Sequence, residues 1–529
     1  MGAVIENNLN VFHVIKDYKM KATTLALTAS CAFTISILSF PAATDDLQSW
    51  RGLPDYSGEV SSHHGLPKLR PDHEKSERYI IKFKSTELLA YAGTPVTTGA
   101  EQLSEMKASY TQAAESVLSQ HQAETIMHLD FAQASVAKLN QYQLQELAKH
   151  PTVEYIEQDH KRYIDDVKSL DTITAMSQTT PYGITMVQAN QVSDANATTM
   201  KVCVIDSGYQ LSHPDLPTAG VTGSTFSGHG AWSTDGSGHG THVAGTIVAL
   251  NNNIGVVGVL PSGLVGLHIV KIFNDSGSWT HASNLIQAVQ LCQNAGANVV
   301  NMSLSGPSSN TTESNAMSNF YNNGMLLVAT SGNLGNTNFR YPASYDAVIS
   351  VAAVDANKNH ASFSVRNSQV ELSGPGVNVL STCNNSNYCN KSGTSMAAPH
   401  VTGVAALVWS NHPQCTNAQI RNVLNQTAEH RGTSGRNNNF GWGIVQAKAA
   451  HDWITSNGCD GGGSSDYTWQ YAPTFNSRVC PIGSIPGTVT LQNLGSTCPN
   501  HNKIARTNEY VTGLGGAGGP GCYKALQCR

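Results

Sequence analysis

The sequence predicts an α/β fold, a parallel sheet with helices on both faces, preceded by a small ferredoxin-like α+β domain. Three observations predict it. From Lys201 onward, short apolar runs rich in Val and Ile alternate with longer helical runs, the pattern of βαβ units. Upstream, residues 77–160 read β-α-β-β-α-β, which is the ferredoxin-like order. The chain has 529 residues, enough for several domains.

The elements follow in order. Residues 1–43 form an N-terminal extension and a signal pattern. Met20 opens Met-Lys-Ala-Thr-Thr, the apolar run Leu25 to Phe40 follows, then Pro-Ala-Ala. That is a basic region, an apolar region and a small-residue cleavage region. Met20 is the expected true start, and export is expected. The run is short for a membrane span, so no membrane anchor is expected.

Residues 44–176 form a leader, loose and polar to residue 76. Strands are expected at Tyr79–Lys84, Thr125–Phe131, Ala134–Leu139 and Val153–Glu157, and helices at Glu101–Gln122 and Gln141–Lys149. Pro151 stops the second helix. Asp159 to Ala175 is a charged connector.

Residues 177–458 carry the main domain. Its strands are expected at Val202–Ile205, Leu267–Phe273, Asn298–Leu304, Met325–Thr330 and Ala347–Val354, with helices including His239–Leu250 and Ala282–Asn294. Residues 459–529 open on a Gly-Gly-Gly-Ser-Ser linker from Gly461 and contain four further cysteines after Cys459. They show no clear periodicity and have no assigned role.

Net charge is −5 and charged residues are 13%, against about a quarter in an average domain. No nucleic-acid partner is implied. Of 11 cysteines, Cys31 lies in the signal pattern and ten remain. An even number in an exported chain suggests disulfides. Cys383 and Cys389 bracket a short loop. Cys415/Cys459, Cys480/Cys498 and Cys522/Cys528 are further sequential pairings, and connectivity stays open. Cys203 and Cys292 read as small buried hydrophobes.

Three stretches carry chemistry. Asn390 to Gly403 reads Asn-Lys-Ser-Gly-Thr-Ser-Met-Ala-Ala-Pro-His-Val-Thr-Gly. It delivers Ser395 onto the start of a small-residue helix, where free N–H groups and the positive dipole end can hold an oxyanion. Val202 to Leu216 runs a buried-type strand into Asp206, and sites in open α/β sheets lie at that strand end. Gly236 to Gly245, Gly-Ser-Gly-His-Gly-Thr-His-Val-Ala-Gly, opens a helix with His239. Singly, each has an ordinary reading: a helix N-cap, a turn-capping carboxylate, a surface histidine. Together they supply a nucleophile, a general base and the carboxylate that orients it.

The three stretches resemble the Asp, His and Ser motifs of the subtilisin-like serine proteases, in that family's chain order. The resemblance covers about Pro181 to Trp453. It implies an endopeptidase acting through an acyl-enzyme on protein and peptide substrates, with catalytic Asp206, His239 and Ser395. Ala329-Thr-Ser-Gly-Asn333 resembles the segment that supplies an oxyanion-hole asparagine, Asn333. Ser303, Leu304, Ser305 and Gly306 resemble one wall of the primary pocket, and Ala329 to Gly332 the other. Gly277, Ser278 and Trp279 resemble the edge strand for upstream substrate residues. Two departures stand out: Ser305 where the family commonly has Gly, and Arg340, before Tyr341-Pro342, near the pocket floor where small residues are common. Arg340 either narrows the pocket, favours an acidic or small side chain, or points out to solvent.

The resemblance also implies a structural Ca²⁺ site. Carbonyls of Leu250, Ile254 and Val256 and the side chains of Asn252, Asp215 and Gln178 would hold it, and hard oxygen ligands suit calcium. The leader resembles the family's propeptide inhibitors, which implies an inhibited precursor that cuts itself within the connector, giving a mature start between about Lys161 and Gln178. The chain is expected to act as a monomer. Two alternatives remain: a processing protease of narrow specificity, and an inactive subtilase-like binding protein.

Overall fold

The computed structural model describes residues 76–91, 102–164, 167–174, 177–276, 279–460, 492–493 and 523–524. The signal pattern, Gly277, Ser278, the Gly-Ser linker and Cys480, Cys498, Cys522 and Cys528 lie outside these residues.

The small domain runs β1 (Glu77–Phe83), α1 (Ser85–Tyr91), α2 (Gln102–Gln120), β2 (Glu124–Leu129), β3 (Ala134–Leu139), α3 (Gln141–Leu147) and β4 (Val153–Gln158). Its antiparallel sheet has the order β2-β3-β1-β4, the ferredoxin-like arrangement that the run order implied. Asn140 starts α3 with a capping box to Gln143, satisfying two otherwise unpaired donors. Successive strand residues face opposite ways. Ile81 and Phe83 therefore join the domain's own helices in one core. Ile80, with Leu129, Ala134 and Val136, packs instead into a core shared with the main domain. The leader thus has a second apolar sheet face, and the main domain covers it.

The connector holds β5 (Lys161–Arg162) and β6 (Val167–Ile173), and α4 (Tyr182–Met186) follows. The main domain then runs β7 (Lys201–Asp206), β8 (Val221–Thr225), α5 (His239–Val248), β9 (Gly266–Lys271), β10 (Thr280–His281), α6 (Ala282–Asn294), β11 (Val299–Met302), α7 (Thr311–Asn322), β12 (Leu326–Thr330), β13 (Val348–Val354), β14 (Val370–Pro375), β15 (Val379–Cys383), β16 (Asn387–Ser392), α8 (Thr394–Asn411), α9 (Asn417–Thr427) and α10 (Ala447–Asn457).

Seven strands form one sheet in the order β14-β13-β12-β11-β7-β9-β8, parallel throughout. A parallel sheet buried on both faces should be apolar at nearly every residue, and Leu326–Thr330 and Val348–Val354 are buried throughout. The strands expected from sequence form its interior. The edge strands β8 and β14 were not anticipated, because Val-Thr-Gly-Ser-Thr and Val-Glu-Leu-Ser-Gly-Pro lack the apolar run of a two-faced strand. Helices α5 and α8 belong to the core on one side, and α6 and α7 to the core on the other. Helix α8 is buried from Thr394 to Ser410, which its Ala, Gly and Thr residues permit by keeping the helix thin.

Candidate active site

Strand β7 ends on Asp206 and α5 begins on His239, both fully buried. His239 Nδ1 lies 2.7 Å from Asp206 Oδ1. A carboxylate only accepts, so Nδ1 carries the proton and the tautomer is fixed. The Ser207 backbone N–H also donates to Asp206 Oδ1 at 2.7 Å. The start of α5 is held by Asp235, which sequence reading missed. Its carboxylate accepts from the backbone N–H groups of Gly238 at 2.9 Å and Thr241 at 2.8 Å. Ser207 Oγ accepts from Gly240 N–H at 2.9 Å and donates to Asp235 at 2.8 Å. These bonds tie the base-bearing helix turn to the end of the strand carrying the carboxylate.

Ser395 is the second residue of α8 and fully buried. Its Oγ donates to the Ser303 carbonyl at 3.4 Å. In a regular helix the Ser395 carbonyl would accept from residue 399, but Pro399 has no N–H. That carbonyl instead accepts from Ser303 Oγ at 2.9 Å. Asn301 Nδ2 donates to Ser303 Oγ at 2.9 Å, and Thr402 Oγ1 to Asn301 Oδ1 at 2.9 Å. The proline after Met-Ala-Ala thus frees a carbonyl that ties the serine to the loop after β11.

Asn333 follows β12 on the same side. Thr394 donates its backbone N–H at 2.8 Å and its hydroxyl at 2.7 Å to Asn333 Oδ1. Backbone N–H is only a donor, so the amide oxygen must face Thr394. That sets the NH₂ edge on the other side.

The leader's tail occupies the cleft. Tyr163 and Ser305 exchange two backbone hydrogen bonds, at 2.8 and 2.9 Å. On the other side Arg162 pairs with Thr280 and Lys161 with His281, and Lys161 Nζ sits 3.7 Å from the centre of the Trp279 ring. The tail is therefore an extended strand between β10 and the Ser303–Gly306 segment, the geometry of strand addition by a peptide. Of the expected edge Gly277–Trp279, the described part is Trp279, beside this tail. Downstream, β6 pairs with β16, the strand leading to Ser395.

The residues expected to wall the primary pocket are placed as follows. Leu304 and Ala329 are buried, and Gly332 has φ +104°. Arg340 is 6% exposed and its Nε donates to Ser305 Oγ at 3.0 Å. A Cβ on Gly332 would lie 2.9 Å from Arg340 Cγ. The solvent-facing alternative for Arg340 is excluded; the residue and Ser305, the two departures, contact each other against the pocket wall.

Two leader carboxylates cap helices of the main domain. Glu157 accepts from the backbone N–H groups of Thr311 and Thr312 at 2.7 and 2.8 Å, at the start of α7. Asp159 accepts from Ser283 N–H at 2.9 Å, at the start of α6. Such ends favour negative charge. Nothing in a short charged run marks these partners in advance.

The loop proposed from sequence for calcium is assembled around Asp215. Val256 N–H donates to Asp215 Oδ2 at 2.8 Å, Leu250 N–H to the Asp215 carbonyl at 3.0 Å, and Gln178 Nε2 to the Leu250 carbonyl at 3.0 Å. Asn252 Oδ1 accepts from Ile254 N–H at 3.1 Å. Asp215 is fully buried, and burial raises its carboxyl to about 6 despite hydrogen bonds from Val256 N–H and the Tyr388 and Asn252 side chains. A buried carboxylate held in a loop of oxygen donors suits a hard cation.

Disulfides join Cys383 to Cys389 and Cys415 to Cys459, as the sequential pairing had it. Cys203 and Cys292 form a third, correcting their reading as buried thiols. One lies on β7 and the other on α6, 89 residues apart in sequence, so only the packing of helix on sheet reveals the pair.

A buried carboxylate–imidazole pair, a buried serine at the start of α8, and an extended segment of the leader paired with Ser305 are the features of a serine endopeptidase and its propeptide. The subtilase family model matches residues 197–443, and the peptidase inhibitor I9 model matches residues 78–165. Subtilisin DY of Bacillus licheniformis is 42% identical over 280 residues, 52% of this chain and 99% of that one. The thermostable alkaline protease of Halalkalibacterium halodurans is 40% identical over 340 residues, 64% and 88% of the two chains. Among solved structures, the psychrophilic subtilisin-like protease Apa1 from the Antarctic psychrotroph Pseudoalteromonas sp. AS-11 matches at a TM-score of 0.51 and 34% identity, covering 54% of this chain and 99% of that one. The chain belongs to the subtilase family of serine proteases and carries an I9-type propeptide.

Proposed function

We propose that this chain is the precursor of an exported endopeptidase that releases itself from its propeptide. The observation that supports this is the tail between β10 and Ser303–Gly306, an extended strand paired with the segment whose Ser303 carbonyl accepts from Ser395 Oγ. In this reading Ser395 attacks the peptide carbonyl. His239 takes its proton and returns it to the leaving amine, while Asp206 stabilises the imidazolium. Asn333 Nδ2 and the Ser395 backbone N–H donate to the oxyanion. Water then hydrolyses the acyl-enzyme. Export rests on the Met20–Ala43 pattern. Among the described residues, no helix is long and apolar enough to cross a membrane.

Calcium belongs to the same proposal. Asp215, with Gln178 and Asn252 and the carbonyls of Leu250, Ile254 and Val256, would hold it, and the ion would neutralise a buried carboxylate and brace the loop.

A narrow specificity is the second reading. It is favoured by the charged side chains Arg340 and Glu313, both buried along the cleft. Labelling by a serine-directed phosphonate, together with casein hydrolysis, tests the enzymatic proposal. A folded, processed chain that neither labels nor hydrolyses would instead be a binding protein.

A further inference from the structure

Among the described residues of the propeptide tail, Arg162 is the most deeply buried large side chain, and it is charged. It and Glu313 are each fully buried. Arg162 Nε donates to Glu313 Oε1 at 3.1 Å, its Nη2 donates to Oε2, and its Nη1 donates to the Lys161 carbonyl at 3.0 Å. The Tyr345 hydroxyl also donates to Glu313 Oε2, at 2.7 Å. Glu313 lies in the first turn of α7, so the carboxylate belongs to the protease and the guanidinium to the segment that leaves. A Cβ on Gly306 would stand 2.6 Å from Arg162 Nη1 and 2.3 Å from the Lys161 carbonyl. The glycine keeps the pocket open for the guanidinium.

The register says which substrate residue this pocket reads. Tyr163 pairs with Ser305, and the carbonyl beside Ser395 Oγ belongs to Ser303, two residues earlier. In an antiparallel pairing, the substrate residue opposite Ser303 is two beyond the one opposite Ser305. If the bond cut follows that residue, the position held by Arg162 is the fourth on its amino side.

We propose that Glu313 makes this fourth-residue pocket a receptor for arginine, so that the mature enzyme selects substrates with a basic side chain there. This rests on the endopeptidase reading above. A planar guanidinium meets a carboxylate through two parallel bonds. An apolar residue leaves the buried carboxylate without a cation, and an acidic one adds a like charge, so the pocket also discriminates by repulsion. The precursor satisfies the same rule with its own Arg162, which makes the tail a high-affinity occupant of the cleft.

The test uses mature enzyme matured from the full chain and three fluorogenic peptides that differ only at the fourth residue before the cut, as Arg, Ala or Glu. The Arg peptide should exceed the Ala peptide in kcat/KM by about tenfold or more, with Glu lowest. In Glu313→Gln the Arg-to-Ala ratio should fall to within about threefold. Gly306→Ala, which fills the guanidinium's place, should lower the same ratio and serves if Glu313→Gln does not accumulate. Phosphonate labelling with equal rates for Arg and Ala in wild type would overturn this inference alone, as would an undiminished ratio in Glu313→Gln. No labelling and no hydrolysis of any peptide would overturn the endopeptidase reading and this inference with it.

Discussion

Thr394 holds the oxygen of Asn333 from two sides, with its backbone N–H at 2.8 Å and its hydroxyl at 2.7 Å. Thr394 immediately precedes Ser395, so the proposed nucleophile and the proposed oxyanion donor are held by one turn of chain. Preorganised donors act because they need not reorient during reaction.

Asn333→Ala should keep the fold and lower kcat by about 10²–10³, a range established on subtilisin itself and not an independent estimate. Thr394→Val should lower kcat by a smaller factor with little change in KM, since it loosens the amide without removing it. Unchanged turnover in Asn333→Ala, measured on a peptide amide, would show that another group supplies the donor.

The sequence made the candidate reacting residues legible because each is punctuated by unusual local chemistry: Asp206 at the end of an apolar strand, His239 in a Gly-rich helix start, Ser395 ahead of Ala-Ala-Pro. The interior strands were legible for the same reason, as apolar runs of the right length. What it did not show depends on residues distant in the chain. Asp235 accepts from backbone N–H groups that any residue offers, and Thr394 reaches Asn333 only when α8 packs behind the loop after β12. The Cys203–Cys292 bond requires knowing that α6 packs on β7. Glu313 looks like an ordinary acid in the first turn of a helix until Arg162, 151 residues earlier, meets it.

Arg340 should set the primary pocket's preference. It is buried against Ser305 and Gly332, and a cation there attracts an acidic side chain and disfavours a basic one. Wild type should cut after Asp or Glu in preference to Lys, and Arg340→Gly should shift the preference toward large apolar residues. Cleavage-site mapping on a peptide library checks this; an unchanged profile in Arg340→Gly would remove Arg340 from the pocket's chemistry.

Calcium should stabilise the folded state by mass action. Each tenfold rise in free ion above saturation should add about 1.4 kcal/mol, read as a rising melting temperature. Asp215→Asn should flatten that dependence. A wild-type melting temperature identical in calcium and in chelator would defeat the site.

Reduction should destabilise the mature enzyme. Replacing Cys203 and Cys292 together by Ala should cost about 2–4 kcal/mol, visible as a lower denaturant midpoint. Mass spectrometry finding these cysteines as thiols in the purified enzyme would remove the claim.

Self-cleavage is the central claim. Tyr163 pairs with Ser305 and β6 pairs with β16, the strand leading to Ser395, so the chain on both sides of residues 165–166 is tied to the main domain. An intramolecular cut is favoured by this high effective concentration. Counting from the Tyr163–Ser305 pair assigns the cut to the bond after Asp165, so the mature chain should begin at Asp166. The most direct measurement is the N-terminal sequence of purified wild type and Ser395→Ala, both made with other serine proteases blocked. The account predicts wild type cut within the connector, at Asp166, and Ser395→Ala as an uncut precursor. Ser395→Ala cut at the same bond and rate as wild type would contradict it.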